Sequence, residues 1–147
     1  MANISQDLVW EIVRPYSSTL VKRTQAGGVQ FSSCPLNLRN TYSRKYEGLV
    51  SDKAIGVQEG ENGSIQLITK KNDKSHQPAT KNQVSTFSKS RSNRKVYSAI
   101  VNSTTKRNYR PDLRKDAVAR ASAIRRSQKP VKESKPQKPR GAKARAE

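Results

Sequence analysis

Arginine and lysine are concentrated in two neighbouring stretches toward the C-terminal end of the sequence. Basic side chains recur there every few residues: Arg107, Arg110, Arg114, Lys115, Arg120, Arg125 and Arg126. Guanidinium and ammonium groups contact phosphate oxygens and give affinity without reading base sequence, and the planar guanidinium suits bidentate contact. This pattern predicts clamps for a phosphate-rich partner.

No other group of residues has the spacing of a catalytic or metal site. Cys34 is the single cysteine and its neighbours supply no second ligand, so we expect a buried or inert thiol. His76 is the only histidine and lies in a polar stretch without a nearby nucleophile. Gly27 and Gly28 lack the following lysine of a phosphate loop and favour a hairpin turn. We therefore expect no enzyme activity, no metal and no cofactor.

The net charge points to the same kind of partner. The chain of 147 residues has 30 basic and 11 acidic residues and a net charge of +19, which would oppose compaction unless a polyanion neutralised it. An anionic membrane would require a long apolar span or a strongly amphipathic helix. The longest apolar runs, such as Leu8-Val9-Trp10, are three residues long. Nucleic acid is the expected partner, and we expect neither a transmembrane helix nor a signal peptide.

The charge divides the chain into two parts. Residues 1–69 hold seven basic and six acidic residues, whereas residues 70–147 hold twenty-three and five. Most of the hydrophobic patterning lies in the first part. We therefore predict a small domain with a polar connection over residues 1–92, a basic helical RNA-binding arm over residues 93–130 and a basic disordered tail over residues 131–147.

The first part is predicted to form one helix and two hairpins. Ile4, Leu8 and Ile12 recur at helical spacing before Pro15. Strand candidates at residues 19–23 and 29–32 flank the Gly27-Gly28 turn, and candidates at 54–58 and 65–69 flank an Asn-Gly turn. The predicted core comprises Leu8, Trp10 or Val9, Ile12, Leu20, Phe31, Leu49, Ile55, Val57, Ile65, Leu67 and Ile68.

The second part is predicted to be mainly helical. Residues 70–92 are a mobile connection, or contain an edge strand around residues 84–87. Helices are expected at residues 93–103 and 111–127, the second beginning at Pro111. The fold class is therefore α+β: a small antiparallel sheet of hairpins with an N-terminal helix, followed by the basic helical arm and the tail. Because the arm is highly charged and its apolar stripe is mostly alanine, we expect it to become ordered chiefly on RNA. The alternative is a helix pair docked stably on the sheet, which Val96, Ile100, Leu113 and Ile124 would permit.

Several segments of the sequence resemble one known family. The residues 107–114 (Arg-Asn-Tyr-Arg-Pro-Asp-Leu-Arg) and 120–130 resemble the C-terminal signature of the eukaryotic large-subunit ribosomal protein family numbered twenty-eight. Residues 8–14, the stretch from Ser17 to Lys22, Asn37-Leu38, residues 46–49 and Val57 extend the likeness in the same order. The resemblance covers about residues 5–130.

The resemblance implies a non-catalytic structural protein that lies on large-subunit ribosomal RNA beside other ribosomal proteins. It implies a cytosolic ribosome assembled in the nucleolus, with no membrane partner, no small-molecule substrate and no homo-oligomer. To the seven basic residues above we add as RNA-binding candidates Asn108, Tyr109, Lys129, Lys22, Arg23, Arg44 and Lys45. Tyr109 could stack on an unpaired base or pack the helix junction, and surface solvation is the alternative for the last four.

Three other functions compete with this interpretation. A nuclear ribosome-assembly factor with a related N-terminal domain is the nearest alternative, but such factors usually carry cysteine-rich metal sites and long acidic tails. A chromatin-compacting protein would be expected to use a winged helix or histone fold. A nuclease or RNA-modifying enzyme would need convergent carboxylates or a cofactor, whereas the carboxylates here are scattered.

Overall fold

The computed structural model describes residues 4–71, 77–131 and 133. In this part of the chain the main elements are α1 (Gln6–Val13), β1 (Leu20–Arg23), β2 (Val29–Ser32), β3 (Ile55–Glu59), β4 (Ile65–Lys70), β5 (Asn82–Phe87), α2 (Asn93–Ser103) and α3 (Arg114–Ser127). Short 3-10 turns lie at Thr24–Ala26, Glu61–Gly63, Thr105–Arg107 and Pro111–Leu113. The α+β class is confirmed. His76 and most of the predicted tail lie outside the described residues.

The first two strands form a two-stranded hairpin, and a single antiparallel bridge joins Phe31 of β2 to Thr41. Strands β1 and β2 are antiparallel, with Leu20 opposite Ser32, and the turn contains the predicted Gly27 and Gly28 at φ +72° and +77°. Glycine adopts this left-handed region without a steric penalty. Both strands remain largely exposed to solvent, including Phe31, so the hairpin contributes little to the core.

The other three strands form an antiparallel sheet with β4 in the centre. The β3–β4 connection passes through Asn62 and Gly63 at positive φ, as the Asn-Gly pair predicted. Strand β5 pairs with β4 from Asn82 to Phe87. The edge-strand alternative for residues 84–87 is therefore the one that the structure adopts.

Helices α2 and α3 pack together, and α3 also packs on β3. Alternation along the strands places Ile55 and Val57 of β3 on one face, where they join the helices in one continuous core. Val96, Ile100 and Ala121 are each 0% exposed. The core comprises Leu38, Ile55, Val57, Ile65, Leu67, Phe87, Val96, Ile100, Leu113, Ala117, Ala121 and Ile124.

This packing differs from the predicted division between a domain at residues 1–92 and a separate arm at residues 93–130. Both helices share the core of the sheet. The alanines that seemed to offer too little apolar area lie at the closest contacts, since Ala117 and Ala121 are almost fully buried. Small side chains let α3 approach the sheet closely, and larger residues such as Ile100 and Leu113 supply the buried area.

The predicted contribution of α1 to the core was largely wrong. Leu8 and Ile12 are 56% and 64% exposed, and among the described residues of α1 only Trp10 is buried. Its ring lies 5.1 Å from the ring of Tyr42, centroid to centroid. Phe31 and Leu49 are exposed as well. Periodicity correctly predicted the helix, but its Leu8 and Ile12 side chains face solvent.

The irregular segment of residues 33–38 contributes to a second, smaller core. Cys34, Leu36 and Ala54 cluster together, with Ile68 packed against them. A side chain at Gly48 would collide with Leu36, and one at Gly56 would collide with the carbonyl oxygen of Pro35. These two glycines therefore permit the close approach of the segment. Burial raises the pKa of the Cys34 thiol, in agreement with the inert thiol predicted.

Candidate nucleic-acid interface

The fourteen predicted RNA-binding residues fall into three exposure classes. Arg125 is buried, and Arg44, Tyr109, Arg110 and Arg120 are half-buried. The other nine are exposed: Lys22, Arg23, Lys45, Arg107, Asn108, Arg114, Lys115, Arg126 and Lys129. This separation distinguishes side chains that hold the fold together from those that are free to meet a partner.

Tyr109 packs the helix junction, which was one of its two predicted roles. Its hydroxyl donates to the carbonyl oxygen of Lys70 at 2.8 Å and accepts from the backbone N–H of Ala54 at 3.1 Å. Burial raises the pKa of Tyr109. The ring is thus fixed between the α2–α3 junction and the sheet, and this geometry argues against stacking on an RNA base.

Arg110 lies beside Tyr109 and is also used internally. Its guanidinium donates to the carbonyl oxygens of Lys53 and Lys45, each at 3.0 Å, and forms a bidentate pair with Asp112 at 2.9 Å. This arginine holds the pKa of the Asp112 carboxyl below its usual value. Arg110 and Asn108 both adopt positive φ. The junction that they form turns the chain from α2 into α3 and ties it to residues 45–53.

Arg125 connects the end of α3 to the sheet. Its guanidinium donates to the carbonyl oxygen of Gly63 at 3.1 Å and to that of Ser88 at 2.9 Å, and the residue is only 6% exposed. Bonds between a charged group and buried carbonyls are stronger than neutral ones. The contacts give Arg125 a structural role, and its predicted role as a phosphate clamp does not fit this geometry.

Arg44 has a similar role in the N-terminal region. Its guanidinium contacts the Asp7 carboxylate at 2.9 Å, the Gln6 side-chain oxygen at 3.2 Å and the Ser51 hydroxyl at 3.1 Å. It thereby fastens α1 to residues 44–51. Lys45 is exposed, with its ammonium 5.4 Å from the centre of the Tyr46 ring. Lys22 and Arg23 project from the exposed hairpin.

The remaining basic residues cluster on the outer side of the helix pair. Arg114, Lys115 and Arg126 project from α3, and Arg107 from the turn before it. Arg126 follows Lys115 by about three helical turns and therefore lies on the same side of the helix. Three salt bridges occur among the described residues: Arg14–Glu11, Arg44–Asp7 and Arg110–Asp112. None involves this outer side, so its cations are free to bind an anion.

A groove of about 940 Å³ runs between α2 and α3 on this side. Its floor is apolar and aromatic, and four cations lie around it without an acid. The lining residues are Arg94, Tyr97, Ser98, Val101, Asn102, Lys106, Arg114, Lys115, Val118, Ala119 and Ser122. The acids nearest in sequence are engaged elsewhere, since Asp112 pairs with Arg110 and Asp116 accepts from the Tyr46 hydroxyl. We define these eleven residues as the α2–α3 groove.

Of the charged and aromatic residues that line this groove, sequence reasoning predicted Arg114 and Lys115 but missed three: Arg94, Tyr97 and Lys106. In the predicted helix of residues 93–103, helical periodicity places Val96, Ala99 and Ile100 on one face, and Tyr97 and Val101 fall outside that face. A second apolar stripe on the same helix was the available signal. Without knowledge of the α2–α3 packing, that stripe could not be assigned to a groove.

One buried lysine lies apart from the interface. Lys70 donates from its ammonium to the carbonyl oxygens of Leu49 and Ser51 at 2.9 and 2.8 Å. Burial, together with the positive charge of Lys81, lowers the pKa of Lys70 to about 8. Burial also raises the pKa of Glu47, whose carboxylate accepts from the Leu49 N–H. These charges hold the irregular segment of residues 47–51 against the sheet.

Membrane-spanning helices and metal-binding clusters have no counterpart among the described residues. No helix among them is long and apolar enough to cross a bilayer. No group of three or more histidine, cysteine, aspartate or glutamate side chains comes together there as a metal-binding set.

The fold and this surface define a small, strongly basic α+β protein with an exposed cationic helix pair. A model of the Ribosomal L28e protein family matches residues 8–127. The chain belongs to this family, which confirms the resemblance inferred from the sequence.

Curated relatives match nearly end to end. The large ribosomal subunit protein eL28 of Schizosaccharomyces pombe is 40% identical over 130 residues, which cover 88% of this chain and 97% of the relative. The eL28 protein of Caenorhabditis elegans is 38% identical, covering 92% and 98%. That of Dictyostelium discoideum is 34% identical, covering 86% and 93%. The similarity therefore extends over the sheet, both helices and the N-terminal region.

Proposed function

We propose that this protein is a structural constituent of the large subunit of the eukaryotic cytosolic ribosome and binds ribosomal RNA. The observation that carries the proposal is the similarity to named large-subunit proteins, which extends over most of this chain and almost all of each relative. The net charge of +19 supplies the attraction to a polyanion. The protein acts by holding RNA segments in place and performs no chemical step.

The outer side of the helix pair is the proposed RNA-contacting surface. Its exposed members among the predicted residues are Arg107, Arg114, Lys115, Arg126 and Lys129. These side chains contact phosphates and set the position of the RNA. Lys22, Arg23 and Lys45 are exposed outside the helix pair and stay secondary candidates. Arg44, Tyr109, Arg110 and Arg125 support the fold from within. Arg120 is half-buried and stays a candidate.

Neighbouring ribosomal proteins are the other proposed partners. The protein enters the subunit as a single copy in the nucleolus, and the finished particle operates in the cytosol. Its affinity for RNA falls steeply with salt because each phosphate contact releases counterions, with a slope in log–log form of about 0.7 to 0.9 per contact. A total slope below about two would contradict a surface that engages several phosphates.

Incorporation into ribosomes tests the proposal in cells. We expect the tagged protein to sediment with mature large subunits after a high-salt wash. Lys115→Glu with Arg126→Glu should remain folded, because both side chains are exposed, but should fail to incorporate stably. Lys53→Glu with Lys71→Glu makes the same charge change at exposed positions outside the helix pair and should incorporate nearly normally.

Two outcomes would contradict the proposal. Sedimentation only with precursor particles would identify an assembly factor. Normal incorporation of the helix variant, with loss in the Lys53→Glu and Lys71→Glu variant, would move the RNA-contacting surface away from the helix pair.

A further inference from the structure

We infer that the α2–α3 groove binds an unpaired segment of RNA, with a base against its floor and phosphates at its rim. The inference rests on the proposed function and specifies the RNA class that the helix pair receives. Three of its five charged or aromatic residues, Arg94, Tyr97 and Lys106, were not among those predicted from the sequence. Both helices contribute lining residues, so the groove exists only when α2 and α3 are packed together.

The floor provides a surface for a base. Tyr97 and Val101 of α2 face Val118 and Ala119 of α3 across the groove. Tyr97 is half-buried and packs against the core from one side, so the part that lines the groove is held in place. Bases of unpaired RNA are recognised by stacking on aromatic and apolar side chains. A tyrosine fixed before binding has little conformational freedom to lose.

The rim provides the contacts for the backbone. Arg94 and Lys106 lie on the α2 side, and Arg114 and Lys115 on the α3 side. Among the described residues none of the four forms a salt bridge. A groove with cations on both sides and no acid in its lining matches a chain whose backbone carries a phosphate for every base.

The size and shape of the groove favour a single strand over a duplex. Its volume of about 940 Å³ lies within the range of roughly 300 to 1,000 Å³ typical of ligand pockets, and it has room for a base with its ribose. In a duplex the faces of the bases are stacked inside the helix, and proteins contact mainly its phosphates and 2′-hydroxyls. The apolar floor would then have no partner.

Charge also argues against occupation by the C-terminal residues of this chain. Residues 132–147 contain six basic and two acidic residues, so they carry the same sign as the rim. An acidic protein segment is the competing occupant, because it would satisfy the cations but would leave the tyrosine without a base to stack on. The two occupants therefore respond differently to substitution of Tyr97.

Binding of the full-length protein to labelled RNA by fluorescence anisotropy tests the inference. The probes are a single strand of about ten nucleotides, its duplex, and an oligoglutamate of similar charge as competitor. We expect the single strand to bind more tightly than the duplex, and oligoglutamate to compete poorly. Tyr97→Leu should lower affinity for the single strand about five-fold or more, with little change in salt dependence. Tyr97→Phe, which keeps the ring, should bind like the wild type.

A separate double variant tests the rim. Its two substituted lysines, Lys106 and Lys115, are exposed, so the variant should fold normally. Lys106→Gln with Lys115→Gln should reduce the log–log salt slope by about 1.4, corresponding to two lost contacts to a single strand. Lys53→Gln with Lys71→Gln is the matched charge control, and Tyr16→Leu is the matched control for loss of an exposed aromatic ring. Both controls should change binding much less than the groove variants.

Cross-linking locates the contact directly. Ultraviolet irradiation of the complex with 4-thiouridine-substituted single strand should label the peptide that contains Tyr97. If the wild type binds ribosomal RNA but the groove variants behave like the controls, the groove assignment is wrong and the proposed function stands. If oligoglutamate displaces the single strand at equal charge and Tyr97→Leu has no effect, a protein segment is the occupant. Failure of the wild type to bind ribosomal RNA would instead overturn the proposed function.

Discussion

The sheet with its two helices and the N-terminal region bury their apolar residues in different ways. Residues 55–127 contribute nearly all of one continuous core, in which Ile65, Val96 and Ile100 are fully enclosed. The N-terminal region, residues 4–32 with α1 and the β1–β2 hairpin, leaves Leu8, Ile12 and Phe31 exposed. A continuous core gives cooperative stability, whereas a region with few buried apolar contacts opens locally at lower cost.

The N-terminal region is held mainly by individual polar and aromatic contacts. Arg44 bonds to Asp7 and Gln6, and the Tyr42 hydroxyl donates to the carbonyl oxygen of Arg14 at 3.0 Å. Trp10 packs against Tyr42. The comparison teaches that hydrophobic periodicity alone does not tell where the core lies, since α1 has a regular apolar stripe and α3 has mostly alanine on its buried side.

Truncation of a buried and of an exposed isoleucine tests this difference most strongly. Ile100→Ala should lower the free energy of unfolding by about 2 to 5 kcal/mol, because it opens a cavity in the core. Ile12→Ala, on the exposed side of α1, should change it by about 0.5 kcal/mol or less. Urea unfolding of the full chain measures both. Similar losses for the two variants would show that α1 packs into a core after all.

Two adjacent arginines separate a structural charge from a charge that is proposed to contact RNA. Arg125→Met should lower the free energy of unfolding by about 1 to 3 kcal/mol, since the carbonyls of Gly63 and Ser88 lose a charged donor. Arg126→Met should leave stability within about 0.5 kcal/mol of the wild type but weaken RNA binding. Thermal unfolding and RNA titration of both variants measure the two effects. The opposite assignment would contradict the division of roles along α3.

The buried lysine predicts a smaller, pH-dependent effect. Below pH of about 8, Lys70 is protonated in both the folded and unfolded chains. Between about 8 and its ordinary pKa of 10.5 the unfolded chain holds more protons, so the contribution of Lys70 makes stability rise with pH. Cys34 and Tyr109 have raised pKa values and act in the opposite direction at higher pH.

The Lys70→Met variant isolates this contribution. The difference in free energy of unfolding between wild type and variant should be constant below pH of about 8 and should shift in favour of the wild type as pH rises above it. Chemical unfolding at a series of pH values measures the difference. A difference that does not change with pH would mean that Lys70 keeps its ordinary pKa in the folded chain.

Much of the local structure could be predicted from the sequence. Glycine and Asn-Gly turns located both hairpins, and the helix at residues 93–103 was predicted with its observed bounds. The irregular segment of residues 33–38 was missed as a core element because its burial depends on Gly48 and Gly56, which lie far along the chain. Docking of the helices on the sheet was the less favoured alternative for a related reason: close contact through Ala117 and Ala121 has no strong signal in hydrophobicity.

The sequence predicted the charged region of the candidate site but not the roles of its individual residues. Charge identified α3 and the preceding turn, but it could not distinguish Arg125 from Arg126, because adjacent helical residues differ in role only through what lies beside them. Tyr109 and Arg110 belong to a conspicuous motif and yet make internal contacts. Tyr97, which carries no charge, acquired its proposed role only from the packing of α2 against α3.

The protein core, without RNA, holds α2 and α3 against the sheet. The outer side of these helices is the proposed RNA-contacting surface. Hydrogen exchange on the free full-length protein in moderate salt tests directly the claim that the core holds them without RNA. The shared core predicts that amides of residues 118–124 in α3 exchange as slowly as those of residues 65–68 in the central strand. Fast exchange at residues 118–124, slowed only when RNA is added, would contradict the claim and restore an arm that folds on its RNA.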